Sequence, residues 1–227
     1  PDVVIPLHRH PWAQLAYPIR GAIRICAAGT AWIVPANRAV WIPPEIDHDV
    51  AVLGAVELRT LYITSGSAPL PLNACTVVDI SPLMRSLCEA IAEGRGDTRH
   101  QLMMQLALEE IRIARPLSLG LPLPRDRRLK ALCDALMANP ADGRGLADWA
   151  EQVGASERTL ARLFQSELDT SFGAWRQQLR LAKAVVEISR GLPMAEVASA
   201  VGYASQAAFS AMFSRALGVS PSRFGER

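Results

Sequence analysis

The sequence predicts an α+β protein: an N-terminal β-barrel or β-sandwich with appended helices, followed by an all-α domain that carries two helix-turn-helix motifs. Three observations predict it. Up to about residue 80 the chain is rich in Val, Ile, Trp and Pro and is broken at short intervals by Gly and Pro, which is the texture of short strands. From Ser81 onward the apolar residues fall at helical spacing instead. In the C-terminal half the same small, turn-forming and aromatic residues occur twice, 48 to 49 positions apart.

Composition sets the outer bounds. With 227 residues, 50% hydrophobic and 20% charged, the chain has room for one large or two modest domains with working cores, and disorder, collagen and coiled coil are excluded. No apolar run approaches the ~18–20 residues of a membrane helix, so neither a signal peptide nor a membrane anchor is expected. The chain starts at Pro1 without a methionine, as a trimmed fragment would. Cys26, Cys75, Cys88 and Cys133 are too scattered for a zinc site or a disulfide framework and read as buried thiols in a reducing cytoplasm. Charge is uneven. Residues 1–124 carry 10 Lys+Arg against 11 Asp+Glu, a net −1, and residues 125–227 carry 14 against 11, a net +3. That surplus permits a polyanionic partner without requiring one.

Element by element, strands are expected at 22–26, 31–34, 39–42, 50–53 and 58–63, within a β domain spanning 1–80. Ser81 caps a first helix with Pro82 in its opening turn and with Leu83, Leu87 and Ile91 on one face, and Gly94 and Gly96 end it. A second helix covers 98–114, with Leu102, Met103, Leu106, Ile111 and Ile113 as its apolar set. The pair, within 81–115, forms either a dimer interface or a cover for an open sheet edge. Pro116, Pro122, Pro124 and Gly120 mark 116–125 as a linker, and 126–227 reads as helical throughout.

The repeat supplies the motif. Ala147, Ala150, Val153, Gly154, Ser156, Phe164 and Leu168 recur as Ala195, Ala198, Val201, Gly202, Ser205, Phe213 and Leu217. Each copy has a small residue where two helices cross, a Gly for the turn, a Ser as N-cap of the second helix, and inward-facing apolar residues: Leu160, Leu163 and Phe164, or Phe209, Met212 and Phe213. Between the copies, residues 171–190 read as one helix of about 20 residues and ~30 Å, close to the ~34 Å that separates successive major-groove faces.

From about Asp126 to the end the sequence resembles the DNA-binding domain of the AraC/XylS transcription regulators. The residues that carry the resemblance are both turns, the linker-helix stretch 172–185, and Met194, Ala195, Val197, Ala198, Val201, Gly202, Tyr203, Ser205, Phe209 and Phe213. The closing Gly218, Ser220, Pro221, Arg223 and Phe224 fit it too. The resemblance implies that double-stranded DNA is met by Ser156, Glu157, Arg158, Thr159, Ala161 and Arg162 in the first recognition helix, and by Ser205, Gln206, Ala207, Ser210 and Ala211 in the second. Arg158 and Arg162, four apart, share one helix face, and Arg162 is the candidate for bidentate reading of guanine, although a solvated face is the alternative. Gln206 can read adenine. Alanines at 207 and 211 leave the second head suited to holding phosphate through Ser205, Ser210 and the helix N-terminus, or to touching thymine methyls. Arg176, Arg180 and Lys183 either touch phosphate or pack the linker helix.

In the β half, His8 and His10 are two residues apart, hence on the same side of an extended strand; Gln14 follows and then Gly21, a spacing that resembles the first motif of the cupin barrel, and Pro35, Ile42, Pro43 and His48 resemble the second. The resemblance implies a divalent metal site at His8, His10, Gln14 and His48. Gln14 stands where a metal-binding cupin usually has Glu, which weakens the ligand set by one negative charge. Zinc, nickel, cobalt, copper and iron all suit three imidazoles and an oxygen, and a metal-free pocket lined by the same histidines is the alternative. Trp12, Tyr17, Trp32 and Trp41 either line a small-molecule pocket or fill the core. The function these readings imply is a cytoplasmic, homodimeric, sequence-specific transcription regulator controlled by a small-molecule or metal effector, and not an enzyme. The rival is a metal-dependent cupin enzyme, a dioxygenase or isomerase, with a helical accessory domain.

Overall fold

The computed structural model of the chain describes residues 4–36, 38–71, 73–93, 96–117 and 119–225. It divides into two compact units, one of Pro1–Ala28 with Trp32–Ser118 and one of Gly29–Ala31 with Leu119–Arg227.

The first unit is an antiparallel sheet. Its strands are β1 (Val4–His8), β2 (Ala13–Ala27), β3 (Thr30–Pro35), β4 (Arg38–Ile42), β5 (His48–Ile63), β6 (Thr76–Asp79) and β7 (Pro116–Leu117), in the order β1-β5-β2-β4-β6-β7 with β3 against β2. β2 and β5 are its spine and stay paired from Ala13↔Ile63 to Ala27↔His48. The segments expected at 50–53 and 58–63 are therefore one strand, and the one expected at 22–26 is the end of a strand three times as long. Pro18 and Gly21 read as breaks in the sequence but are absorbed by the pairing, because the register shifts on either side of Arg20. Gly21 is required there: it has φ +74°, and a Cβ would lie 2.4 Å from the Ala55 carbonyl oxygen. β6 and β7, each short and paired only in the folded sheet, were not expected, and β1 ends at His8, short of the extended strand expected through His10.

Strand alternation sorts β2 into two faces. Ala13, Leu15 and Tyr17 join Trp41, Val78 and Ile80 in a core covered by α1 (Pro82–Ala92) and α2 (Thr98–Ile113). Ser81 caps α1 by accepting from the Met84 amide at 2.9 Å, and its hydroxyl also donates to the Glu110 carboxylate of α2. Asp97 caps α2 by accepting from the His100 amide at 2.8 Å. α1 buries Met84, Leu87, Cys88 and Ile91, while Leu83 is exposed; α2 buries Ala107 and Ile111, while Leu102, Leu106 and Ile113 are exposed. Of the expected apolar sets, Leu87, Ile91 and Ile111 are buried and Met103 packs against the core, but the others are not, because periodicity gives the spacing of a stripe and not which flank meets the sheet. Gly94 lies outside the described residues. Cys88 and Cys133 are buried, whereas Cys26 and Cys75 are only half-buried.

The second unit is helical after β8 (Gly120–Pro122): α3 (Arg127–Ala138), α4 (Leu146–Val153), α5 (Glu157–Leu168), α6 (Phe172–Ser189), α7 (Met194–Ala200), α8 (Gln206–Leu217) and α9 (Pro221–Gly225). The stretch 116–125 carries two short strands, and Leu121 and Pro122 take part in the helical unit: Leu121 is in its core and the Pro122 carbonyl accepts from the Trp175 indole at 2.8 Å. Asp126 caps α3 by accepting from the amides of Arg128 and Leu129, and its ion pair with Arg128 holds the carboxyl down at about 2. Ser156 and Ser205, the caps predicted for the two motifs, accept from the amides of Thr159 and Ala208, and Ser171, expected as the first residue of its helix, caps α6 by accepting from the Ala174 amide.

Candidate effector pocket and nucleic-acid interface

The second face of the β2–β5 pair forms a pocket. Gln14 and Ala16 lie opposite Tyr62 and Thr60, and together with Leu58, Val50, Ile5, Arg9, Trp12 and the first two histidines they enclose a cavity of about 550 Å³. Of the four aromatics considered from the sequence, Trp12 lines it, while Tyr17 and Trp41 are core and Trp32 is half-buried away from it. Tyr62 was missed. Its signal was present, since alternation along β5 puts 58, 60 and 62 on one face, but the register with Gln14 and Ala16 that turns this face into a pocket wall is not readable from sequence.

Three histidines meet at the rim. His8 ends β1, His10 lies in the connection to β2 rather than on a strand, and His48 opens β5 opposite His8. One ring nitrogen from each lies within 4.8 Å of the other two. The Nδ1 atoms of His8, His10 and His48 sit 2.8, 2.7 and 2.8 Å from the carbonyl oxygens of Pro6, Trp12 and Ile46. A carbonyl only accepts, so Nδ1 carries the hydrogen in each ring, and a neutral ring then has its lone pair on Nε2. The His48 Nε2 is buried and has no hydrogen-bond partner among the described residues. Burial also pushes the His48 pKa down, against the pull of the Ile46 carbonyl. The His10 Nε2 faces the Gln14 Oε1 at 2.7 Å, and both are buried. Two lone pairs repel, so that contact calls for a shared proton, the amide group turned over, or a cation that both atoms ligate.

The helical unit carries two copies of one device. In each, a left-handed glycine, Gly154 at φ +67° and Gly202 at φ +77°, turns the chain into a capped second helix. α5 buries Leu160, Leu163, Phe164 and Leu168 and exposes Glu157, Arg158, Ala161 and Arg162, with Thr159 half-buried and its hydroxyl 2.8 Å from that of Ser156. Among the described residues no carboxylate pairs with Arg158 or Arg162. α8 buries Phe209, Met212, Phe213 and Leu217; Ser205, Gln206, Ala207 and Ala211 are exposed and Ser210 is half-buried. The basic residues of α6 are engaged internally. Arg176 donates to the Arg144 carbonyl at 2.8 Å, Arg180 to those of Pro140 and Asp142, and Lys183 pairs with the buried Glu187 at 2.6 Å.

A sheet with a walled pocket and a doubled helix-turn-helix define a DNA-binding regulator that responds to a ligand. The chain belongs to the AraC family of transcription regulators. Residues 1–114 match the family of the AraC-like ligand binding domain, and residues 149–227 match a Helix-turn-helix domain family. The HTH-type transcriptional regulator NimR of Escherichia coli (strain K12) is 32% identical over 227 residues, 98% of this chain and 83% of that one. The Arabinose operon regulatory protein of the same strain is 30% identical over 141 residues, 60% of this chain and 48% of its own length. Among solved structures, the C-terminal domain of AraT, a response regulator from Geobacillus stearothermophilus, shares 29% identity over 44% of this chain and 85% of its own, with a TM-score of 0.42. The relatives are transcription regulators, and the chain is one rather than an enzyme. Among the described residues no helix is long and apolar enough to cross a membrane.

Proposed function

We propose that this regulator senses, in the β2–β5 pocket, an effector that includes a divalent transition metal held by His8, His10 and His48 with Gln14 as a fourth, neutral oxygen ligand. The observation that carries the reading is the set of three imidazoles gathered within 4.8 Å with each Nδ1 pinned to a carbonyl, which leaves the Nε2 of each neutral ring to ligate, one of them buried without a partner among the described residues. The residues present fit a borderline ion such as zinc, nickel, cobalt, copper or iron, and the pinned Nδ1 atoms act as the outer support that such ligands use. A bound ion would supply positive charge for an effector carboxylate or hydroxyl, while Trp12, Tyr62 and Leu58 would take its apolar part.

On the DNA side, α5 reads bases through Arg162 and Arg158 with Glu157, Thr159 and Ala161 alongside, and Ser156 sets the helix start. α8 contributes mainly position: its N-terminus, Ser205 and Ser210 meet phosphate, Gln206 reads at most one adenine, and Ala207 and Ala211 meet methyl groups. The exposed stripe of Leu102, Leu106 and Ile113 on α2 pairs with a second copy, since three large apolar side chains on one helix are costly to leave in water. Effector binding shifts α1 and α2 and so changes the dimer arrangement or frees the DNA-binding half. The protein works in the cytoplasm, where its DNA is.

Elemental mass spectrometry of untagged protein purified without chelator tests the sensing site. About one metal per chain, lost in His10→Ala, is expected. Metal-free protein that also fails to load when supplemented would reassign the histidines as hydrogen-bonding groups for an organic effector.

A further inference from the structure

The two reading heads have separate cores. α3, α4 and α5 pack on one another around Trp149, Phe164 and Trp175, whereas α7, α8 and α9 pack around Phe209, Phe213 and Phe224. α6 runs through both. A single helix of 18 residues, about 27 Å long, is a poor ruler, because helices bend and an adjoining head can roll about the axis.

A second tie lies off that axis. Arg180, midway along α6, donates from Nε to the Pro140 carbonyl at 2.9 Å and from Nη2 to the Asp142 carbonyl at 3.2 Å, both in the loop between α3 and α4. Gly202, the turn residue of the second motif, sits on the same loop. A Cβ there would lie 2.8 Å from the Ala141 Cα, 2.9 Å from the Ala141 oxygen and 2.9 Å from Arg180 Nη2. The Tyr203 ring follows, 5.7 Å from the guanidinium carbon. Comparison with the first motif isolates what is special. Gly154 has the same left-handed backbone, yet a Cβ on it would meet nothing within 4 Å among the described residues. Gly154 is needed for its conformation alone, and Gly202 for its conformation and for the space it leaves. Among the described residues no carboxylate stands within ion-pair distance of Arg180, so its planar fork is spent on two main-chain carbonyls of the facing loop, a geometry that an ammonium reproduces poorly.

We propose that the junction of Arg180 and Gly202 with the 140–142 loop is a positioning device that fixes the angular register of the two heads, and through it the spacing of the two DNA boxes this regulator accepts. Arg180 and Gly202 are positioning residues here: they act on DNA only through the heads they hold. The inference rests on the reading above that both heads engage one duplex.

The test uses the full chain and a duplex selected from random sequence by the wild-type protein, remade with two base pairs inserted between its boxes, which turns the second box by about 70° and moves it about 7 Å. Wild-type protein should lose on the order of 100-fold in affinity on the lengthened duplex, because one head must let go. Arg180→Lys and Gly202→Ala attack the junction from its two sides. Each should bind the selected duplex more weakly but lose less than roughly fivefold on lengthening, since a loosened second head can follow its box. A merely structural role would weaken both duplexes in proportion and leave the ratio alone. An unchanged spacing penalty in both variants overturns the proposal. So does loss of cooperative thermal unfolding in both, because the junction would then hold up the fold and not the register. Wild-type indifference to the insertion would instead remove the two-headed reading on which the inference rests.

Discussion

The two helix-turn-helix copies share the residues that build them and differ in the residues they present. Gly154 and Gly202 turn the chain, Ser156 and Ser205 cap the second helices, and Phe164 and Phe213 are fully buried at matching places. The outward faces diverge: α5 offers two exposed arginines one turn apart, whereas α8 offers Gln206, two alanines and a half-buried serine. The frame of a motif is under a packing constraint that any copy must meet. The face is under none until a partner arrives, so the two copies are interchangeable as folds and unequal as readers.

That contrast can be tested at three levels. The largest effect is in the frame, where Phe164→Ala and Phe213→Ala should each destabilise by about 3–5 kcal/mol in denaturant unfolding. A cost below about 1 kcal/mol at one site alone would show that the two frames are not equivalent. Next come the faces. Arg162→Ala should cost about 1–3 kcal/mol in a gel shift on the selected duplex, roughly 5- to 150-fold, and should relax the preference for guanine at one position. Gln206→Ala should cost clearly less; a larger loss than for Arg162→Ala would reverse the assignment of reader and positioner. The smallest effect is at the caps. Ser156→Ala and Ser205→Ala should each lower stability by about 1 kcal/mol with sequence preference unchanged, and altered base preference in either would make that serine a base reader as well as a cap.

The contrast between the two units carries a second lesson. In the helical unit the expected elements are all present, and only the ends differ by a residue or so: the helix expected at 171–190 is Phe172–Ser189 between its caps. Its signals are local, since a serine hydroxyl reaches an amide three residues on and a glycine decides its own φ. In the sheet the same kind of reading split β5 in two, cut β2 to a third of its length and missed β6 and β7. Pro18 and Gly21 carry strong local signals for a break, yet the pairing of β2 with β5 runs past them because a bulge absorbs the misfit.

The sequence by itself determined the α+β order, the repeat, the capped helices and the family, because these depend on contacts within a few residues and on spacings that survive in a linear string. Only the tertiary structure decided which flank of α2 is left bare, that Arg176, Arg180 and Lys183 are engaged within the helical unit, and that Tyr62, Thr60 and Leu58 wall a cavity beside three histidines from two strands and a loop. Those outcomes depend on sheet register and on which surfaces are left to meet. A shift of one residue in the β2–β5 pairing would turn the pocket face of one strand into its core face, and nothing local to either strand fixes that choice.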